Sequence, residues 1–213
     1  MNLKLKRMRK RIIKNKEIII GCTFIIIGIS IIICNLLHNK VNKIQELKKV
    51  DEFIETKVVD TKKQETIDNN INLKQQSTEN YIAVIEIPKI HLKKGIYSKT
   101  SVLNDVDRNI QILKESSFPD EENGNVILAA HSGIGKNAYF SNLVKLKKED
   151  VVNIYYNNIL YEYRVENIYE VTKTGTIELE NYSSSILTLI TCNQNDKTKQ
   201  IVFICKQTKK GKW

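Results

Sequence analysis

The amino-acid sequence predicts an all-β domain, a barrel or a sandwich of about 130 residues, preceded by one N-terminal apolar helix. From Tyr81 onward, at least six short runs rich in β-branched and aromatic residues follow one another, without a long amphipathic helix between them. Upstream, residues 18–37 form an uncharged stretch that is long enough to cross a lipid bilayer.

Residues 18–37, "IIIGCTFIIIGISIIICNLL", predict a transmembrane signal-anchor. A helix of this length spans about 30 Å, which is the thickness of a bilayer's hydrocarbon core. A cleaved signal peptide is the alternative, but it would have a shorter apolar region and a small-residue cleavage site, which "CNLLHNK" does not offer. Basic residues precede the span, so the positive-inside rule places the N-terminus in the cytoplasm and everything from about residue 38 outside.

The charge distribution argues against a nucleic-acid partner. The net charge is +10, but eight lysines and arginines precede the first acidic residue, Glu17. The rest of the chain carries only about +2, which is too little for a phosphate-binding domain. The sequence as a whole predicts four parts. Residues 1–17 are a basic cytoplasmic segment, 18–37 the membrane helix, 38–79 a stalk with a polar tether, and 80–213 an extracytoplasmic domain.

Turn-forming residues divide the β-rich part into elements. Pro88 bounds the first strand, Asn123-Gly124 precedes a strand that ends at His131, and Asn157-Asn158 marks a hairpin. The predicted strands lie within 81–92, 126–133, 150–172, 186–192 and 200–205, and short helical turns are expected in 101–113 and 139–146.

Cys192 lies at the edge between an apolar strand and a polar turn. From its position alone it is a packing residue, half of a disulfide with Cys205, a metal ligand or a nucleophile. The chain has no CxxC pattern and only three histidines, so we expect no metal site and no cofactor. His131 also ends a strand, and a cysteine–histidine catalyst needs a thiolate nucleophile together with a proton donor for the leaving amine.

Three motifs resemble the sortases, the membrane-anchored transpeptidases of Gram-positive cell surfaces. "TLITC" at 188–192 resembles their TLxTC motif, and "LAAHSG" at 128–133 resembles their histidine segment. "YIAVIEIPKIHLKKGIY" at 81–97 is similar to their first strands. Order and spacing agree over residues 80–206, and the resemblance implies a closed β-barrel.

The resemblance also implies a reaction and its residues. Such an enzyme cleaves an LPxTG-like signal between Thr and Gly, with Cys192 as nucleophile and His131 as general acid/base. It joins the surface protein that carries this C-terminal signal to an amine of a peptidoglycan precursor through a thioester. Thr191 and three residues of the loop 172–185 are the expected substrate contacts: Ile177, Leu179 and Tyr182.

The sequence departs from the family at the arginine that precedes the strand after the cysteine. Lys199 and Gln200 stand there, and we predict Lys199 as the positive partner of the oxyanion. The alternatives are a catalytically silent module that binds sorting signals or envelope proteins, and an unrelated membrane-tethered scaffold. No apolar span follows Trp213, and the loop at 172–185 is short. Both features favour a class A or class D relative over the pilin-polymerising class.

Overall fold

The structure is a computed structural model that describes residues 2–59, 80–175, 177 and 184–213. The chain divides between Glu46 and Leu47 into two compact units. The first unit is helical, and the second contains the end of the same helix and all of the strands that the structure describes.

Helix α1 runs over Asn2–Val59. Within the described residues, its part Ile20–Glu55 is the one helix whose length and composition would allow it to cross a membrane. The large apolar side chains of 20–37 are exposed around the helix, a pattern typical of a helix that is surrounded by lipid.

Eight strands form one sheet, in which each strand pairs with its neighbours in the order β2-β1-β5-β6-β8-β7-β4-β3. Their bounds are β1 Ala83–Ile87, β2 Leu92–Ile96, β3 Gln111–Ile112, β4 Asn125–Ala129, β5 Val151–Tyr156, β6 Ile159–Thr172, β7 Ile186–Cys192 and β8 Lys199–Lys212. Every pairing is antiparallel except that of β4 with β7, which is parallel.

The sheet curls into a nearly closed barrel. Across the gap between its edge strands, the Asn109 amide donates a hydrogen bond to the Gly95 carbonyl of β2 over 2.8 Å. Alternate residues of each strand point into one apolar core, including Leu128 of β4, Leu189 of β7 and Phe203 of β8. The predicted all-β barrel behind one N-terminal helix is therefore confirmed.

The predicted turns also have the expected geometry. Asn157 and Asn158 both have positive φ, 48° and 62°, as a type I′ hairpin turn requires, and they join β5 to β6. Pro88 opens a 3-10 turn over Pro88–Ile90. Of the two segments expected to contain helical turns, 139–146 has one at Leu143–Lys145, whereas 101–113 forms non-helical turns and strand β3, so the expectation was wrong there.

The last turns of α1 pack against the barrel within the second unit. Val50 is fully buried, and the Lys93 ammonium lies 2.6 Å from the Asp51 carboxylate. The indole of Trp213 donates to the Ile54 carbonyl over 3.2 Å. Trp213 follows the C-terminal end of β8, so this contact lies at the opposite end of that strand from Cys192, which pairs near its start.

Candidate active site

The parallel pairing of β4 with β7 brings the ends of these two strands together. Ala129 pairs with Ile190, so continuing the register by two residues places His131 beside Cys192. Two side-chain bonds maintain this alignment beyond the ladder. The Thr191 hydroxyl donates to the Ala130 carbonyl over 2.9 Å, and the Ser132 hydroxyl donates to the Cys192 carbonyl. The structure therefore brings together the two residues that the sequence predicts as catalytic.

Cys192 occupies the outer face of the barrel. Leu187 and Leu189 point into the core, so Cys192, which is an odd number of residues away, points outward. Its thiol is free and half-buried. Ile190 and Val202, the neighbouring pair on this outer face, are buried as well, so the thiol lies at the end of an apolar strip.

Gln200 is the residue of β8 that lies directly opposite Cys192. The two are partners in the antiparallel ladder of β7 with β8, so their side chains leave the sheet on the same face. A primary amide at this position can donate hydrogen bonds to an oxygen that becomes negatively charged next to the thiol.

Lys199 lies on the other face of β8. Its ammonium lies 3.0 Å from the Glu170 carboxylate and 3.8 Å from that of Asp196. The hydrogen bond with Glu170 raises the pKa of Lys199, so the side chain stays charged, but its charge is shared with two carboxylates. The Asn193 amide also donates to Glu170, over 2.7 Å. The structure thus places Lys199 in a polar cluster rather than beside Cys192.

The second thiol of the barrel, Cys205, lies in the core. It is also free, and complete burial raises its pKa, so a thiolate does not form there at neutral pH. Cys205 pairs with Leu187, five residues before Cys192 in β7. The two cysteines occupy opposite faces of the sheet, so the disulfide alternative is not realised.

Asp107 is a site residue that the sequence analysis missed. Its carboxylate Oδ1 lies 2.8 Å from Nε2 of His131, and the two side chains are 81% and 45% exposed. Asp107 lies in an irregular segment before β3, 24 positions from His131 in the chain. No periodicity or spacing marks such a residue, so only the tertiary fold reveals it.

The turn after Cys192 is fixed by side-chain hydrogen bonds. Asn193 Oδ1 accepts the backbone N–H groups of Asn195 and Asp196 at 2.8 and 3.2 Å. The Gln194 amide donates to the Ser141 carbonyl over 2.7 Å, in the segment that follows His131. These bonds hold the two loops that flank the cysteine and the histidine against each other.

The expected substrate contacts remain predictions. The Thr191 side chain is buried on the inner face and its hydroxyl bonds to Ala130, so the described contacts give it a structural part. Ile177 is half-buried, whereas Leu179 and Tyr182 lie outside the described residues. Within the described part of the chain, no group of three or more His, Cys, Asp and Glu side chains could hold a metal ion.

Known proteins match most of this chain. The sequence model of the sortase domain family matches residues 85–208. Sortase A of Bacillus anthracis is 31% identical over 165 residues, which cover 75% of this chain and 76% of the relative. Sortase A of Staphylococcus aureus is 27% identical over 183 residues, which cover 82% and 85% of the two chains.

A solved structure has the same fold. Sortase A of Listeria monocytogenes superposes with a TM-score of 0.54 at 22% identity, over 62% of this chain and 90% of that one. This likeness supports the fold, while the family match and the Bacillus anthracis relative establish the membership. The chain belongs to the sortase family.

Proposed function

We propose that the protein is a membrane-anchored cysteine transpeptidase that cleaves an LPxTG-like sorting signal and transfers the surface protein to a cell-wall amine. The observation that carries this proposal is the alignment of His131 with Cys192 at the adjacent ends of two parallel strands. The family membership supports the transpeptidase class.

In the proposed reaction, the Cys192 thiolate attacks the threonyl carbonyl carbon and forms a tetrahedral oxyanion. The carbon–nitrogen bond to glycine then breaks, and His131 gives its proton to the departing amine. The product is a thioester on Cys192. An incoming amine attacks this thioester, loses a proton to His131 and releases the thiolate, so the enzyme returns to its starting state.

The oxyanion needs a hydrogen-bond donor. The sequence-based choice of Lys199 stays a prediction, but the strand register gives Gln200 the better place, because Gln200 shares a face with Cys192. Lys199 is engaged by Glu170 and Asp196 on the other face. We therefore assign the oxyanion donor to the Gln200 amide, which adds hydrogen bonds without a positive charge.

The membrane helix supports the proposed location. The exposed apolar stretch of α1 follows the basic N-terminal cluster, so the chain crosses the membrane once with its N-terminus in the cytoplasm. The barrel then lies outside the cell, where newly translocated surface proteins and lipid-linked precursors meet.

The experiment is incubation of the full-length protein, in detergent, with a library of sorting-signal peptides and an amine acceptor. We expect one peptide family to be cut after threonine and joined to the acceptor, and Cys192→Ala and His131→Ala to abolish the product. If the wild-type protein turned over none of these peptides, transpeptidation would be refuted.

The missing arginine supports a second candidate, a silent module that captures sorting signals. The chain has arginines only at positions 7, 9, 11, 108 and 164, and none follows Cys192. A silent module predicts saturable peptide binding in the same assay without any acyl-enzyme, and that binding would survive Cys192→Ala.

A further inference from the structure

Within the described part of the chain, the imidazole of His131 makes a hydrogen bond to a side chain through one of its two nitrogens, Nε2. A carboxylate only accepts hydrogen bonds, so Nε2, which lies 2.8 Å from Asp107 Oδ1, must carry the hydrogen of this contact. In a neutral imidazole the other nitrogen, Nδ1, is then unprotonated. The contact with Asp107 thus selects which nitrogen is free to exchange a proton with the thiol or the leaving amine.

Asp107 is itself held in place by its neighbours. Its backbone N–H donates to the Asp105 carboxylate over 2.7 Å, and its carbonyl accepts a hydrogen bond from the Asn137 amide. The same turn is anchored to β2 by Asn109, which is 1% exposed and bonds the Gly95 carbonyl. An exposed carboxylate therefore sits on a backbone that is fixed at several points.

Asn137 continues this chain of bonds into the barrel. Its Oδ1 accepts a long hydrogen bond from the Tyr139 hydroxyl at 3.4 Å, and that hydroxyl accepts one from the Lys94 ammonium at 3.0 Å. The Lys94 side chain points toward the core and is 6% exposed, and its ammonium also lies 4.1 Å from the centre of the Tyr139 ring.

The three hydrogen bonds of this series all donate in the same direction, from Lys94 toward Asp107. Lys94 donates to Tyr139, Tyr139 to Asn137, and Asn137 to the backbone of Asp107. Burial raises the pKa of Tyr139, so its hydroxyl keeps the proton that it donates. Hydrogen bonds aligned in this sense polarise and strengthen one another.

We infer that Asp107 is a positioning residue for His131: held by the chain Lys94–Tyr139–Asn137, it retains the Nε2 proton and leaves Nδ1 as the nitrogen that transfers protons. This inference rests on the proposed function for its kinetic consequence but not for its structural one. Asp107 and His131 are both exposed, so the pair adds little to stability, and its loss is not expected to unfold the barrel.

The test uses the full-length protein in detergent micelles, labelled with ¹⁵N in its histidine rings. His131 is identified by the signal that disappears in His131→Asn, while His38 and His91 serve as references in the same spectrum. We expect the neutral ring of the wild type to carry its proton on Nε2, and Asp107→Ala to give a mixture of the two tautomers without moving the reference signals. An unchanged His131 tautomer in Asp107→Ala would overturn the inference.

Kinetics provide the second measurement. Asp107→Ala should lower kcat by up to about 10²-fold, the cost of a misplaced catalytic group, at unchanged KM. Tyr139→Phe keeps the ring and removes the hydrogen bond to Asn137. This variant should also lower kcat and increase the fraction of the other His131 tautomer, both by less than Asp107→Ala. The matched control is Asp120→Asn, an exposed carboxylate before β4, which should leave both unchanged.

The outcomes separate the two proposals. If the wild type acylates no peptide, the proposed function fails, yet the tautomer measured without substrate still decides the role of Asp107. If the wild type is active and Asp107→Ala keeps its kcat within twofold, positioning by Asp107 is refuted. If Tyr139→Phe has the kcat and the His131 tautomer of the wild type while Asp107→Ala does not, the hydrogen bonds Lys94–Tyr139–Asn137 do not hold Asp107 in place, and that part of the inference is refuted.

Discussion

The two thiols of the barrel lie on opposite faces of the same sheet. Cys192 is half-buried at the end of β7, whereas Cys205 is fully buried in β8 and burial raises its pKa. The thiolate is the reactive form, so the face on which a cysteine lies decides its chemistry.

This difference predicts selective alkylation. Iodoacetamide should modify Cys192 in the native protein and should reach Cys205 only after denaturation, as measured by peptide mass mapping. Cys192→Ala should abolish transpeptidation, and Cys205→Ala should preserve it. If both thiols were equally protected from alkylation and became reactive together after addition of a reductant, they would form a disulfide, and the assignment of Cys192 as the nucleophile would be contradicted.

The oxyanion donor gives a second prediction at the scale of single residues. Gln200→Ala should lower kcat by about 10²–10³ with little change in peptide binding, because the loss of one amide donor of this kind has that cost in other enzymes. Lys199→Ala should change kcat less than a few-fold, as should Lys197→Ala, an exposed lysine of the same turn. Steady-state kinetics of the three variants decide between the two residues.

The reverse order of effects would return the role to Lys199. Gln200→Arg offers a further check, since a guanidinium on the face of Cys192 adds positive charge and should preserve or raise the turnover.

At the scale of elements, strand register distinguishes two residues that the sequence could not, because it puts Gln200 and not Lys199 on the face of Cys192. The motifs predicted Cys192 and His131, because each ends a recognisable apolar strand. They could not choose between Lys199 and Gln200, since a shift of one residue moves a side chain to the other face of the sheet. Asp107 escaped prediction for a different reason, because it comes from an irregular turn whose position depends on tertiary contacts.

The end of α1 is a second element whose role emerges only from packing. The sequence predicts a stalk and tether over residues 38–79, and this boundary stays a prediction. The described residues of α1 from Leu47 onward belong to the same compact unit as the barrel. Phe53 lines a cavity of about 260 Å³ together with Tyr81, Ile82 and Phe118 of the barrel domain.

Two fragments test this contribution. Residues 61–213 should fold and keep activity on free peptide, but residues 47–213 should melt about 3–12 °C higher. This range follows from the roughly 1.5–3 kcal/mol that burial of one large apolar side chain such as Val50 provides. Calorimetry measures the difference.

Two variants of the longer fragment separate the contribution of apolar burial from that of the surface ion pair. Val50→Ala should lower the melting temperature clearly, whereas Asp51→Asn, which removes a surface ion pair with Lys93, should cost less than about 1 kcal/mol. Equal melting temperatures of the two fragments would show that the helix end does not stabilise the barrel. An unfolded 61–213 would show that the barrel requires it.

At the scale of the whole molecule, the basic N-terminus and the apolar helix predict one membrane crossing with the barrel outside. A C-terminal epitope tag should therefore be removed by protease added to intact protoplasts, while a tag at the N-terminus should survive until the membrane is dissolved. Protection of the C-terminal tag in intact protoplasts would contradict the orientation.

The central claim is that Cys192 carries the acyl group of a sorting signal through a thioester. The most direct measurement is mass spectrometry of the full-length protein quenched in acid during turnover of a cleavable peptide. We predict an adduct on Cys192 that ends at the threonine of the signal, disappears with hydroxylamine and is absent in Cys192→Ala. Cleavage of the peptide without any hydroxylamine-sensitive adduct on Cys192 would contradict the account.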